Sequence, residues 1–182
     1  MPKLLIIGFV WPEPKSSAAG SRMMQLIHLF LSEGYQITFA SACAKSENAF
    51  NLHSLGVTQT EIELNNSSFD DFILNLKPDI VLFDRFMMEE QFGWRVTEHC
   101  PKALRILDTE DLHCLRKARE QAFKDNQPCD KTYLFRDIAK REIASIYRSD
   151  LSLMISEAEM AILKDEFGVP AVSYTHLRAH ET

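Results

Sequence analysis

The run Leu4–Val10 (LLIIGFV) shows no apolar–polar alternation. A strand of that composition is covered on both faces, which is the situation inside a parallel sheet. The loop Trp11–Gly20 that follows carries Pro12, Pro14, Ser16, Ser17 and Gly20, a combination that neither helix nor strand tolerates. From Met23 the residues Met23, Leu26, Ile27, Phe30 and Leu31 recur at helical spacing on one stripe, so a helix is expected over Met23–Glu33. Gly34 stops it, and Tyr35–Ala42 supplies the next strand. A β-α-β unit of this kind opens its first loop onto a helix N-terminus, where free backbone N–H groups and the helix dipole favour a ligand.

The same alternation continues to the end of the chain. Cys43–Leu55 is polar and mixed, read as a loop with a short helix. Thr58–Leu64 (TQTEIEL) alternates more than the other runs and suits a strand near a sheet edge. Ser67 or Ser68 is expected to cap a helix through Asp70, Asp71, Phe72, Ile73 and Leu76, with the acids favouring its dipole. Ile80–Phe83 reads as a fourth strand, Met87–His99 as a helix ended by Pro101, and Leu104–Leu107 as a fifth strand running into the acidic stretch Asp108–Asp111. A helix over Leu112–Phe123, a loop over Lys124–Lys131 and a longer helix over about Leu134–Tyr147 follow. Leu151–Ile155 is then a sixth strand, and Ser156 caps a helix Glu157–Phe167 closed by Gly168. Strand alternating with helix throughout specifies an α/β fold, a doubly wound, Rossmann-like parallel sheet with helices on both faces.

At 182 residues the chain suits one domain with a sizeable core. Its formal net charge of −6 argues against a general nucleic-acid surface. A local basic patch, and with it peripheral membrane association, remains compatible with that balance. No apolar run approaches the length of a membrane span, and the N-terminus lacks a signal-peptide pattern, so a cytoplasmic location is expected. The four cysteines (Cys43, Cys100, Cys114 and Cys129) form no CxxC pair, and His99-Cys100 and His113-Cys114 match no common zinc spacing; no metal site is expected. The last stretch, Val172–Thr182 (VSYTHLRAHET), breaks the pattern and resembles the conceptual translation of a transposon-type sequencing adapter. Residues 1–170 are therefore taken as the natural domain and 171–182 as a non-native tail. The expectation is that the natural protein continues further. The competing reading of the tail is a metal pair, His176 and His180.

Ligands in doubly wound sheets bind outside the carboxyl ends of the strands. The residues following each apolar run are Pro12–Gly20, then Asp84, Arg85 and Phe86, then Asp108, Thr109, Glu110, Asp111 and His113, then Ser156 and Glu157. Each has a structural reading beside the functional one. Gly20 serves either a tight turn or close approach of a ligand. Asp84 and Arg85 pair with each other or act on a ligand. Asp108 and Asp111 cap the following helix or take part in chemistry. No GxGxxG follows the first strand, and neither GxxxxGK[ST] nor GxSxG occurs, which demotes nicotinamide enzymes, P-loop enzymes and α/β-hydrolases.

Four segments in order resemble the N-terminal domain of GT-B glycosyltransferases of the family-4 type. They are the opening Lys3–Ser41 with its Ser32-Glu33-Gly34-Tyr35-Gln36-Ile37-Thr38 turn, Lys77-Pro78-Asp79-Ile80-Val81, Ser149–Glu159, and Phe167-Gly168-Val169-Pro170. The resemblance spans essentially residues 3–170 and implies one half of a two-domain enzyme. The domain seen here would hold a glycan or lipid acceptor, while a nucleotide-sugar donor, the only cofactor-like molecule implied, would be held mainly by a C-terminal domain. Transfer in such enzymes usually retains anomeric configuration, without an essential metal ion. Gly20 matches the second glycine of the family's first loop, with Ala19 in place of the first. The resemblance makes Gly20, Ser21, Arg22 and Arg85 the donor-side candidates and Asp108, Asp111 and His113 the catalytic ones; the family's frequent His-Asp pair is not reproduced there. A glycosyltransferase half, inactive alone, is the expected function. The alternatives are half of a GT-B-fold sugar-nucleotide epimerase and a stand-alone Rossmann-like binding module.

Overall fold

The computed structural model describes residues 1–169; residues 170–182, and with them the adapter-like tail and the His176/His180 reading, lie outside the described residues. Six parallel strands form one sheet: β1 (Lys3–Gly8), β2 (Gln36–Ser41), β3 (Thr58–Glu61), β4 (Ile80–Asp84), β5 (Leu104–Asp108) and β6 (Leu151–Leu153), in the spatial order β3-β2-β1-β4-β5-β6. Seven α-helices accompany them among the described residues: α1 (Ala18–Ser32), α2 (Ser68–Leu76), α3 (Phe86–His99), α4 (His113–Lys124), α5 (Lys131–Leu134), α6 (Asp137–Arg148) and α7 (Glu157–Phe167). The expected doubly wound parallel sheet is therefore what forms.

Because side chains alternate along a strand, the two faces of the sheet carry separate cores. Leu4, Ile6, Leu82 and Ile106 meet Met23, Leu26 and Ile27 of α1 on one face. Leu5, Ile7, Val81, Phe83 and Leu107 meet Phe69 and Ile73 of α2, Phe92 and Val96 of α3, and Leu115 and Ala118 of α4 on the other. The chain winds outward from β1 to β3, then returns to β4 beside β1 and winds the opposite way. The β1/β4 boundary, paired in register from Leu4↔Ile80 to Ile7↔Phe83, is thus the topological switch point, and the crevice above it is where such sheets accept ligands.

Several boundaries differ from expectation, each for a local reason. β1 ends at Gly8, not Val10, because the Phe9 amide turns aside to donate to Asp84 Oδ2 at 3.0 Å. α1 begins at Ala18, well before Met23: Ser17 is a true N-cap, its hydroxyl accepting from the Gly20 amide at 2.9 Å. The start of α2 is closed not by a serine side chain but by Asn66, whose Oδ1 accepts from the Ser68 amide at 2.9 Å. The long helix expected over Leu134–Tyr147 is interrupted at Phe135 and Arg136, giving α5, capped by Asp130, and α6. β6 is only three residues long, whereas α7 is capped by Ser156 and closed by left-handed Gly168 as expected.

Candidate functional site

The β1–α1 loop is fixed before any ligand arrives. Trp11 is buried against Phe39, ring centroids 5.5 Å apart, and its indole N–H donates to the Cys43 carbonyl at 2.6 Å. The Glu13 carbonyl accepts from the Ser16 and Ser17 amides at 3.1 and 3.0 Å, which folds the loop over the first turn of α1. A Cβ at Gly20 would lie 2.5 Å from the backbone carbonyl carbon and oxygen of Glu13. Only glycine permits that approach, so chain-on-chain packing already accounts for Gly20. The Ser17 cap occupies the Gly20 amide, and the Ser21 hydroxyl donates to the Pro14 carbonyl at 2.9 Å. The amides of Ala18 and Ala19 have no acceptor among the described residues; they are the open donors of this helix end.

Two adjoining cavities lie at the carboxyl ends of the strands and share Ala19 and Arg85 as lining residues. The first, about 240 Å³, sits over the switch point between Trp11, Pro12, Gly20 and Asp84. The second, about 550 Å³, is bordered by Ala18, Arg22, Glu110, Asp111 and Arg116. Together they reach the size of small-molecule sites.

Charged side chains from three elements converge there. Arg22 of α1 grips Asp108 at the end of β5 with two nitrogens, Nη2 at 2.7 Å and Nε at 3.1 Å from Oδ1, across 86 residues of sequence. Asp108 is completely buried, so it meets the cleft through the guanidinium it orients. Burial pushes its carboxyl up, and the Arg22 contacts oppose that rise. Arg85 reaches Glu110 Oε2 with Nη2 at 3.0 Å and Asp84 Oδ1 with Nε at 3.5 Å. Desolvation raises Asp84 to about 7, despite the Arg85 charge and the Phe9 amide, and raises Glu110 as well. Arg85 has φ 73° and ψ 156°, a region essentially reserved for glycine, and its partner Glu110 also has a positive φ of 59°. The strained pair spans the loops after β4 and β5 where the two cavities meet.

Asp111 and His113 lie on the same rim. His113 Nδ1 is 3.3 Å from Asp111 Oδ1 and 3.8 Å from Glu142 Oε1, with the ring edge-on to Phe86. Its imidazole is buried and borders neither cavity; desolvation lowers its pKa, with Asp111 pulling the other way. Asp111 borders the second cavity and bonds Arg116 at 2.7 Å. Neither Asp108 nor Asp111 caps α4. That task falls to Glu142 of α6, buried, whose carboxylate accepts from the His113 and Cys114 amides at 3.0 and 2.8 Å. No spacing signal links residue 142 to residue 113, so sequence reasoning missed it. Ser17, read from the sequence only as a loop residue, is the N-cap of α1; a serine directly ahead of Ala18-Ala19 was the signal that could have found it.

Gly20, Ser21, Arg22, Arg85, Asp108, Asp111 and His113 thus gather on one rim of the sheet. Gly20, Arg22, Arg85 and Asp111 border the cavities, Asp108 lies beneath Arg22, half-buried Ser21 spends its hydroxyl on the Pro14 carbonyl, and His113 is turned into the protein. The arrangement offers two helix amides to an anion, and lines the cavities with the ion pairs Arg85–Glu110 and Arg116–Asp111 and with Arg22 held by Asp108, whose remaining donors and acceptors a ligand bearing charge and hydroxyl groups could use. Among the described residues, no group of three or more His, Cys, Asp or Glu side chains is placed to hold a metal ion, and no helix is long and apolar enough to cross a membrane.

No family model and no curated protein matches the sequence. The fold is similar to solved structures. The lipopolysaccharide outer core galactosyltransferase WaaB shares 12% identity at a TM-score of 0.58, over 95% of this chain and 44% of that one. Sucrose-phosphate synthase from Thermosynechococcus elongatus shares 12% identity at a TM-score of 0.59, over 91% of this chain and 45% of that one. A protein described as a UDP-N-acetylglucosamine 2-epimerase from Listeria monocytogenes shares 12% identity at a TM-score of 0.57, over 94% and 44%. The chain spans less than half the length of each. Identity this low establishes a shared fold: the Rossmann-like half-molecule found in both glycosyltransferases and the epimerase.

Proposed function

We propose that the chain is the acceptor-side half of a glycosyltransferase of the GT-B, family-4-like kind, moving a sugar from a nucleotide-sugar donor to a glycan or lipid acceptor. The observation that carries this reading is the Arg22–Asp108 clasp, which joins the first helix to the end of β5 on the rim where the β1–α1 loop opens. In this reading a second domain, outside the chain described, holds most of the donor across the cleft. Transfer develops positive charge on the sugar and negative charge on the departing phosphate. Dipoles and charges fixed in advance stabilise that separation best when the cleft is closed and dry. The Ala18 and Ala19 amides and the anchored Arg22 supply fixed positive potential on the phosphate side, while Glu110 and Asp111 accept from acceptor hydroxyls. One domain provides only one wall, so this half is inactive by itself.

A second reading is half of a sugar-nucleotide epimerase, favoured by the fold likeness to the Listeria protein. Product analysis separates the two. The uninterrupted reading frame beyond Pro170 is expected to encode a second Rossmann-like half; an early stop would overturn the two-domain reading. The whole protein, incubated with a panel of nucleotide sugars and hydroxyl acceptors and followed by NMR, is expected to release nucleoside diphosphate and form a glycoside. Replacing Asp108→Asn should lower kcat at least about tenfold by freeing Arg22. An epimerised nucleotide sugar with no glycoside would decide for the second reading.

A further inference from the structure

Arg85 and Ala19 are the residues that the two cavities have in common. Ala19 is set in α1 and carries only a methyl group, so it cannot widen the passage between them. The backbone of Arg85 is pinned as well. Its amide donates to the Asp108 carbonyl at 2.8 Å, and its carbonyl accepts from the Met88 amide at 3.1 Å. Whether one ligand can occupy both spaces therefore depends on where the Arg85 side chain lies, and that side chain moves by rotation about its own bonds. The hold on it is poorer in geometry than the hold on its neighbour. At Arg22, Nε reaches both oxygens of Asp108, at 3.1 and 3.2 Å, while Nη2 reaches Oδ1 at 2.7 Å. At Arg85, Nε and Nη2 face a single oxygen, Oε2 of Glu110, at 3.1 and 3.0 Å. Asp84 Oδ1 stands 3.5 Å from Nε, too far for a good hydrogen bond, and the exposed Phe9 ring lies 5.0 Å from the guanidinium carbon.

A phosphate presents two oxygens at the spacing of the guanidinium fork, which a single carboxylate oxygen does not. Ala18 and Ala19, whose amides are open, lie on the same border, so an anion that reaches Arg85 also meets the head of α1. We propose that the Arg85–Glu110 pair is a latch between the two cavities, confining a neutral ligand to one of them and opening for a ligand whose phosphate group takes the place of Glu110 on Arg85. Arg85 is then the residue that decides which ligands can span the cleft. Glu110, once released, stays beside the second cavity with both oxygens free to accept from hydroxyl groups of the same ligand. The inference rests on the reading of these cavities as the ligand site. It does not depend on which reaction follows, because opening precedes any chemistry.

The test is calorimetric titration of the full chain with inorganic pyrophosphate, over a double-mutant cycle of Arg85→Gln, Glu110→Gln and the two together. Arg85→Gln should weaken pyrophosphate binding about tenfold. Glu110→Gln removes the competitor and should strengthen binding about fivefold while Arg85 is present. Where Arg85 is already Gln, the same substitution should change nothing. An equal gain in both backgrounds would make Glu110 a charge acting at a distance and would overturn the latch. So would no gain from Glu110→Gln, no binding by that variant, or binding indifferent to Arg85→Gln. A substitution in a half-buried pair can also unsettle the fold, so the unaltered chain supplies a second readout. The Arg85 Nε–H resonance, assigned by NMR through its own backbone, should shift as pyrophosphate is added and stay in place when sucrose is added. A resonance that stays in place while pyrophosphate binds would refute the proposal as well. A working latch in a whole protein that forms no glycoside would leave this inference standing and sink the transferase reading; glycoside formation with a cycle that shows no coupling would do the reverse.

Discussion

Asp84 provides the sharpest test of the site's electrostatics. Its carboxyl sits at the end of β4 beneath the switch-point cavity, accepting one amide hydrogen bond from Phe9 and facing Arg85 at 3.5 Å. Those two contacts do not offset the loss of solvent, and its pKa stands at about 7 against an ordinary 3.8. At about 1.4 kcal/mol per pH unit, keeping Asp84 ionised in the folded state costs up to about 4 kcal/mol above neutrality. The sign follows from proton counting. Between the unfolded and folded pKa values the native state holds the extra proton, so stability is fully present below about pH 4 and falls as pH rises through about 7. The substitution Asp84→Asn removes the ionisable group but keeps an amide oxygen that can accept from Phe9. Urea denaturation of the wild type and of this variant at intervals from pH 4 to pH 8 is the assay. Subtracting one profile from the other removes the contributions of Asp108, Glu110, Glu142, Glu159 and His113, whose own shifts tilt the wild-type curve. The variant is expected to gain on the wild type steadily with pH, becoming the more stable protein above pH 7. A difference that stays flat across this range, or a carboxyl carbon of Asp84 that titrates below pH 5 by NMR, would refute the reasoning.

Two backbone features make independent predictions. Arg85→Gly and Arg85→Ala both delete the guanidinium and its Glu110 pair, but only glycine relaxes φ 73° and ψ 156°. The glycine variant should therefore be more stable than the alanine variant by about 1 kcal/mol or more in urea denaturation, and equal stabilities would show no strain at this residue. Gly20→Ala forces a methyl against the Glu13 backbone, which cannot rotate aside. It should cost about 1–3 kcal/mol and lower Tm by several degrees in a thermal scan, whereas an unchanged Tm would mean that the loop over α1 yields freely.

The chain's own letters determined the architecture. Unbroken apolar runs such as Leu4–Ile7 and Val81–Phe83, alternating with helical patterns, fit strands covered on both faces of a parallel sheet, whose crossovers are right-handed. That reasoning placed the six strands in order, put Gly20, Arg85 and Asp108 at the same kind of strand end, and identified Ser156 and Gly168 as the stops of α7. These are local or periodic properties, written within a few residues of where they act. What the tertiary structure alone decided is which of those ends meet and what each side chain then does. Arg22 finds Asp108 across the sheet, Arg85 finds Glu110, Glu142 caps a helix that lacks its own capping side chain, and His113 turns inward while Arg116 turns out. Such pairings depend on three-dimensional distance between elements far apart in sequence, and on how much water folding removes from each group. Neither quantity has a signature in residue spacing, and both are set only when the whole sheet has closed.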